Sequence, residues 1–585
     1  MTEQHGGDII AEVLSHRGIQ NIFTLCGGHI SPILTGATSR GIDVVDVRDE
    51  VSAVFAADAT ARLTGLPGVA AVTAGPGVTN TVTAVKNAQM AQSPILIFGG
   101  ATATVLKGRG SLQDIDQMSL MKPLTKWATS LSLVNELAPA VEHGLEVATR
   151  GTPGPVFIEV PVDLLYPEQV VRDWFMTQSG VDDATSFSAR ALKLYLKGHL
   201  LKQFRAPANP LRYNGFSSSP LTADDLSPLL DEIADRLVDA ERPALVVGSQ
   251  ALVNYTRDEA RSLAQAVEKL GIPTFLAGGS RGLLGRRSDL QFRHKRSRAL
   301  SECDLALIAG FPCDFRLKYG QCFGPDTEVA AANLDDDDLK LNRKPEYPVP
   351  MHPGEFIREL SYRIGRPPER TAWFESLRAR ERQRDEEIHE LGKEEFDGEI
   401  NAVALFEEVE KVMDDDSVLV VDGGDFVATG AYVLRPRSPL SWLDPGVFGT
   451  LGVGGGFAVG AASARPDSEI WLIWGDGSSA YSLAEFDTCI RHGFAPIAII
   501  GTDASWAQIE REQVEILDDD VATTLNRTNY HQVAEGYGGE GILITDRSEV
   551  ADALSKAKKL SAEGKPVVIN AHINQTDFRK GSISM

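Results

Sequence analysis

The sequence predicts three α/β domains in tandem, each a doubly wound parallel sheet. Three observations carry this reading. Short runs rich in Val, Ile and Ala recur, bounded by Gly or Pro, as strands buried on both faces require. Amphipathic stretches of helical length separate them, which is the alternation of a βαβ chain. The chain's 585 residues also exceed the roughly 250–300 at which a single core stops growing.

The first block, 1–170, places strands at 44–47, 68–73, 94–98 and 155–160, with helices at 51–63 and 78–91 between them. The stretch 171–223 is longer than a compact connection needs and reads as a linker. Within it, 189–205 carries Leu192, Leu196, Leu200 and Phe204 at four-residue spacing, with Arg190, Lys193, Lys197, Lys202 and Arg205 and no acid. This is a basic amphipathic helix on an acidic protein. It either packs against the second domain or a sister subunit, or anchors the protein peripherally on anionic lipid. The second block, 224–368, repeats the rhythm with strands at 243–247, 273–276, 305–309 and 328–333. Residues 369–395 are so dense in Arg and Glu that they read as a solvated helix or linker. The third block, 396–574, has strands at 417–421, 469–474, 496–501 and 566–569, and 575–585 forms a tail or lid.

With 43% hydrophobic and 24% charged residues, the composition excludes wholesale disorder, collagen and a disulfide scaffold. Asp plus Glu number 81 against 57 Lys plus Arg, a net charge of -24, which opposes general nucleic-acid binding. Five cysteines without a C-x-x-C pair point to a reducing compartment and no structural zinc. Residues 1–8 lack the basic segment and apolar run of a signal peptide, and no stretch has the roughly 18–20 apolar residues of a membrane span. A cytoplasmic protein is the expectation.

The strongest chemical signal is Trp474-Gly475-Asp476-Gly477-Ser478-Ser479, between an apolar strand and an amphipathic segment. Glycines at such a turn let backbone N–H groups approach a phosphate at a helix N-terminus. An Asp inside that turn repels phosphate unless a metal bridges them. A second strand ends in Thr502-Asp503-Ala504-Ser505-Trp506, so two carboxylates leave the same end of the sheet. Asp476, Asp503 and a backbone carbonyl, with diphosphate oxygens and water, complete octahedral Mg²⁺.

These residues resemble the diphosphate motif of the thiamine-diphosphate (ThDP) enzymes, and the resemblance covers nearly the whole chain. It implies pyrimidine-binding, central and diphosphate-binding domains in that order, with metal ligands Asp476, Asp503 and the Ser505 carbonyl. Thr502-Asp503 stands where the family has Asn-Asn; a carboxylate is still a hard oxygen ligand. In Asp46-Val47-Arg48-Asp49-Glu50, Glu50 resembles the glutamate that sits beside N1′ of the aminopyrimidine and promotes loss of the C2 proton. Thr73-Ala74-Gly75-Pro76-Gly77 with Thr79-Asn80 resembles the family's glycine turn, and Gly151-Thr152-Pro153-Gly154-Pro155 the close of its first domain. In Phe448-Gly449-Thr450-Leu451-Gly452 the resemblance implies that the Gly449 carbonyl holds the 4′-amino group and that Leu451 bends the cofactor. Asp422, Gly423 and Gly424 would approach the diphosphate, with Gly475, Gly477, Ser478 and Ser479. Because family sites form between subunits, a dimer or tetramer is implied, with Glu50 from one subunit and Asp476 from the other.

Within the family the wording at 421–426, 443–446 and 576–582 resembles the acetolactate-synthase-like branch that includes the 2-hydroxyacyl-CoA lyases. That implies reversible cleavage of a 2-hydroxyacyl-CoA to formyl-CoA and an aldehyde or ketone. The alternatives are acetolactate-synthase-type condensation of 2-oxo acids, oxalyl-CoA decarboxylase-like activity, or a silent homologue. Substrate-side candidates are His29, in the loop Gly27-Gly28-His29, and Gln113, with Asp116 and Gln117 near it. Arg286, Arg293, Arg296 and Arg316 belong to a basic cluster that suits a nucleotide phosphate. CoA or ADP is the ligand expected there, FAD the less favoured one, and a basic subunit contact the structural alternative.

Overall fold

The computed structural model describes residues 5–179, 186–209, 221–575 and 578. They form two compact units, one of residues 5–61, 66–179 and 186–209, the other of the remaining described residues. Of the expected tail or lid, 575–585, all but 575 and 578 lie outside the described residues.

The first unit is built on six parallel strands: β1 (Asn21–Leu25), β2 (Asp43–Asp46), β3 (Gly68–Val72), β4 (Ile95–Ala101), β5 (Trp127–Ser130) and β6 (Val156–Pro161), in the order β2-β1-β3-β4-β6-β5. β3, β4 and β6 are buried along their whole length. Unbroken apolar runs are what a sheet covered by helices on both faces demands. Two of those helices, Gly6–His16 and Ser31–Ser39, touch backbone to backbone. A Cβ on Gly7 would lie 1.8 Å from the Pro32 carbonyl oxygen, and one on Gly36 would lie 2.5 Å from that of Gly7. Gly7→Ala therefore has to push the helices apart, and a loss of about 1–3 kcal/mol is expected in chemical denaturation. Gly198→Ala is the control: it has open space around its Cβ and should gain up to about 1 kcal/mol as a mid-helix glycine replaced by alanine.

The described part of the expected linker continues this unit. Helix Glu168–Ser179 and helix Phe187–Arg205 pack together and onto it: Val171, Phe175 and Met176 cluster with Leu196, Leu200 and Ala103. The sequence reading did not foresee this seat on the first domain. The stripe of the basic helix turns towards that domain, where the segment after β4 offers an apolar seat.

The second unit holds two more six-stranded parallel sheets. The central one contains β7 (Pro243–Val247), β8 (Thr274–Leu276), β9 (Gln291–Phe292), β10 (Leu305–Ala309), β11 (Glu328–Ala332) and β12 (Tyr347–Val349), ordered β12-β11-β10-β7-β8-β9. The C-terminal one contains β13 (Val418–Asp422), β14 (Trp442–Leu443), β15 (Ile470–Gly475), β16 (Ile497–Thr502), β17 (Glu540–Ile544) and β18 (Val567–His572), ordered β14-β13-β15-β16-β18-β17. The first and third sheets share one strand order. The central sheet, read from its far edge, has the 3-2-1-4-5-6 order of dinucleotide-binding folds. In open parallel sheets ligands sit beyond the carboxyl ends of the strands, where the order reverses. Those positions are β1/β3, β7/β10 and β13/β15. The Arg- and Glu-rich stretch is a helix, Thr371–Leu391, with one apolar edge: Trp373 and Leu377 are buried against the central domain, and the Trp373 indole donates to the Pro243 carbonyl at 3.0 Å.

Candidate active site

In the first unit the candidate residues gather at the β1/β3 reversal. Glu50 opens the helix Glu50–Thr64 and is 7% exposed. Its Oε2 accepts from the Asn80 amide at 3.0 Å. A Cβ on Gly77 would meet Glu50 Oε1 at 3.4 Å and the Thr73 side chain at 2.8 Å, so the glycine turn lies against the carboxylate. From β1, His29 reaches Thr73 across the reversal, with Nδ1 and Oγ1 3.2 Å apart, and burial lowers its pKa, which favours the neutral ring. Gln113, half-buried with φ +62, lies against Gly75. His29, Glu50 and Gln113 are thereby linked through one turn, 73–77.

Sequence reasoning understated what holds that turn. Gln117 is buried: its Oε1 accepts from the Gly75 N–H at 2.8 Å, and its amide donates to the Gly100 carbonyl at 3.0 Å and to Glu159 Oε2 at 2.9 Å. Glu159 in turn accepts from Ser130 and Lys107. A Glu inside the apolar run of β6 was the available signal for this network. Asp116 instead caps the helix Gln117–Met121 by accepting from Ser119.

In the second unit the diphosphate-side residues sit at the β13/β15 reversal and the adjoining end of β16. Asp476 joins two turns, accepting from the Gly477 N–H at 2.8 Å and the Ala504 N–H at 2.9 Å. Asp503 Oδ1 accepts from the Ser505 N–H at 3.1 Å. Burial pushes Asp476 up to about 6, and burial with the Asp476 charge pushes Asp503 up to about 7. Gly477 allows the Trp506 ring to close over it, since a Cβ would lie 2.5 Å from that ring. The Asp422 carboxylate is fully buried and accepts from the N–H groups of Gly452 and Gly454 and from the Trp474 indole. It holds the turn that follows Gly449 and Leu451, and Gly423, φ +144, leaves the end of β13 beside it with Gly424. Ser478 ties that strand end down by donating to the Asp422 carbonyl, and Ser479 donates to the Asp476 carbonyl.

At the β7/β10 reversal a cavity of about 900 Å³ is lined by Arg281, Arg293, Arg296 and Arg316, with Lys295, Arg298, Lys318 and Arg435 around it and Asp444 as its one acid. Arg281, Arg293 and Arg296 are lowered in pKa by burial and donate to the carbonyls of Ala431, Tyr432 and Arg316 rather than to carboxylates. Arg316 forks onto Asp314 and stacks over Phe311. Arg298 and Arg435 likewise pair with Glu302 and Asp385, so the cations left to an anionic ligand are the buried Arg281, Arg293 and Arg296, whose hydrogen bonds go to carbonyls. Arg286 is not among its walls; it pairs with Asp415 at 3.0 Å.

Comparison with known proteins decides the family. Three models of the thiamine pyrophosphate enzymes match in order: the N-terminal TPP binding domain over 4–120, the central domain over 230–360 and the C-terminal TPP binding domain over 422–571. The chain is 47% identical to 2-hydroxyacyl-CoA lyase 2 of Danio rerio, across 100% of this chain and 94% of the relative. Its identity to the human protein of that name is 45%, over 100% and 92%. This chain is a thiamine pyrophosphate enzyme. An acetolactate synthase large subunit of Mycobacterium tuberculosis is 32% identical over 97% of this chain and 95% of its own.

The residues present fit the groups such an enzyme uses. Asp476 is a buried carboxylate and Asp503 a half-buried one, neither with an ion pair among the described residues, and the Ser505 hydroxyl is buried without a partner. A hard-oxygen donor set short of positive charge suits a divalent cation.

Proposed function

We propose that this thiamine pyrophosphate enzyme is a carbon–carbon lyase that cleaves a 2-hydroxyacyl-CoA reversibly to formyl-CoA and an aldehyde or ketone. The observation that carries the reading is identity of 45–47% along the whole chain to proteins named as such lyases, against 32% to an acetolactate synthase. The arginine-lined cavity supports it, being suited to the phosphates of CoA or ADP.

When bound, ThDP would supply a nucleophilic carbon and an electron sink for carbon–carbon bond cleavage. The protein's own residues do the rest. Asp476, Asp503 and the Ser505 carbonyl hold Mg²⁺. The backbone of Gly423, Gly424 and Gly475 would meet the diphosphate, with Ser478 and Ser479 fixing their turns and Gly477 admitting the Trp506 ring. Gly449 and Leu451 set the cofactor's conformation on the turn that Asp422 positions. Glu50 holds the proton at the aminopyrimidine, and Asn80 orients it. His29, neutral through burial, and Gln113 face the substrate's polar groups, His29 exchanging the proton of the 2-hydroxyl. Arg293, Arg296 and Arg316 bind the nucleotide end of CoA. Two or four subunits assemble, Glu50 of one acting with Asp476 of its partner.

The test is incubation of the protein with ThDP, Mg²⁺ and a 2-hydroxyacyl-CoA, followed by mass spectrometry, with pyruvate in parallel. Formyl-CoA and a carbonyl product one carbon shorter are expected. Acetolactate from pyruvate without CoA cleavage would move the enzyme to the synthase branch.

A further inference from the structure

The basic helix Phe187–Arg205 has two apolar faces, and packing within its own unit uses only one of them. On the inner face Leu196 and Leu200 are 6% and 2% exposed in the cluster with Val171, Phe175 and Met176. The Gln203 amide donates to the Asp163 carbonyl at 2.9 Å, and His199 Nε2 lies 2.8 Å from Thr104 Oγ1. At about 100° per residue, Phe187, Leu194 and Leu201 fall on the opposite side, in one line with a seven-residue spacing. They are 89%, 73% and 60% exposed. Exposed Ala191 and Gly198 fill the line between them, so nothing polar interrupts it.

The cations stand where an interfacial helix needs them. Arg190 and Lys197 flank the line on one side and Lys202 on the other, beside exposed Tyr195. None of these three makes an ion pair among the described residues, and the helix has no acid. Single exposed apolar residues are ordinary, but a line of three large ones flanked by cations on both sides is the pattern of helices that lie in a bilayer interface. The long basic stems can follow the apolar surface and leave their charges at the headgroups.

Charge selects the lipid. A chain of net charge -24 is repelled by an anionic surface except where cations cluster without acids; Arg205 is paired with Glu168 at 2.8 Å, but Arg190, Lys197 and Lys202 form such a cluster. We propose that the outward face of helix Phe187–Arg205 docks the protein on an anionic phospholipid bilayer, with Phe187, Leu194 and Leu201 at the headgroup–acyl boundary and Arg190, Lys197 and Lys202 on the phosphates. No helix of the described residues is long and apolar enough to cross a membrane, so the contact is peripheral. The inner face braces Ala103, Val105 and Leu106, the start of the segment that carries Gln113. Docking therefore brings the substrate-side loop to a surface where acyl-CoA thioesters partition, a consequence that rests on the lyase reading although the docking itself does not.

The test sediments the full chain, loaded with ThDP and Mg²⁺, with vesicles of phosphatidylglycerol and phosphatidylcholine in equal parts, and separately with phosphatidylcholine alone. Binding should be about tenfold tighter or more to the anionic vesicles and weaken with salt. The triple variant Phe187→Ser, Leu194→Ser, Leu201→Ser should lose about tenfold or more of it, with turnover of a short, soluble 2-hydroxyacyl-CoA and oligomeric mass unchanged. Arg190→Gln, Lys197→Gln, Lys202→Gln together should remove the salt dependence. Equal sedimentation with both vesicle types, or undiminished binding by the serine variant, overturns the proposal. So does a serine variant of smaller oligomeric mass alongside a wild type that ignores vesicles, which would make this face a contact between copies of the chain. Failure of the lyase assay with intact vesicle binding would count against the substrate alone.

Discussion

Glu50→Gln is expected to leave ThDP bound at wild-type stoichiometry while turnover falls about 10²–10⁴-fold, the range general acid–base groups supply. The geometry makes this substitution clean. Glu50 is buried, and its Oε2 accepts a hydrogen bond from Asn80. A Gln side chain of the same shape keeps that bond through its own carbonyl oxygen, so the turn 73–77 need not move. What it cannot do is hold and release a proton at the aminopyrimidine. Asn80→Ala should cost less, because it removes only the group that orients the carboxylate. Gly77→Ala should cost turnover by a different route, since its Cβ would press on Thr73 at 2.8 Å and stand 3.4 Å from Glu50 Oε1. Cofactor content and single-turnover rate, measured on the same preparations, separate the two. A Glu50→Gln enzyme turning over at the wild-type rate would remove Glu50 from the chemistry and leave it a buried helix-start acid.

The parts of this protein that were legible in its sequence are those buried on both faces. β3, β4, β6, β7, β10, β13, β15, β16 and β18 all read as unbroken apolar runs, because a strand inside a parallel sheet contacts helices above and below. Of the strands left out, β5, β9, β12, β14 and β17 are edge strands, while β1 lies inside its sheet with Asn21 and Thr24 breaking its apolar run; the edge strand β2 was read all the same. β9 and β14 are two residues each, β5 has the burial of a surface strand, and β17 is half-exposed with a charged first residue. Their pairing is fixed by neighbours far away in the chain, which no local pattern records. The same division holds at the site. The carboxylates announced themselves at strand ends. The Gln117–Glu159 support of the glycine turn did not, because its members come from residues 75, 100, 117 and 159 and meet only when the sheet forms. The basic helix shows a third case. Its four-residue stripe was visible, but which of two apolar faces turns inward depends on the seat that Ala103 and Phe175 provide.

Asp476→Ala should abolish Mg²⁺ and ThDP binding together, whereas Asp503→Asn should separate two effects of opposite sign. On the proposed reading Asp476 is a metal ligand, and it also joins the turns after β15 and β16 through Gly477 and Ala504, so its loss frees both. Asp503 carries a charge where the family has an amide. Burial first, and the Asp476 charge second, raise its pKa to about 7, and burial raises Asp476 to about 6. A carboxyl raised in the fold contributes stability that is complete below its unfolded value of about 4 and is lost as pH rises through the folded value. The cation-free protein should therefore become less stable between about pH 4 and 7, and Asp503→Asn should reduce that loss and melt higher than wild type at pH 8. Cation affinity must move the other way, because the charge that strains the empty site is the charge that binds Mg²⁺; it should rise with pH through the same window in the wild type and be weaker in Asp503→Asn. Thermal unfolding from pH 4 to 8 with and without Mg²⁺, and calorimetric titration with Mg²⁺ alone, read the two quantities independently of catalysis. If Asp503→Asn gained no stability at pH 8 and bound Mg²⁺ as tightly as wild type, the second carboxylate would lie outside the metal site, and Asp476 with the Ser505 carbonyl would have to hold the cation without it.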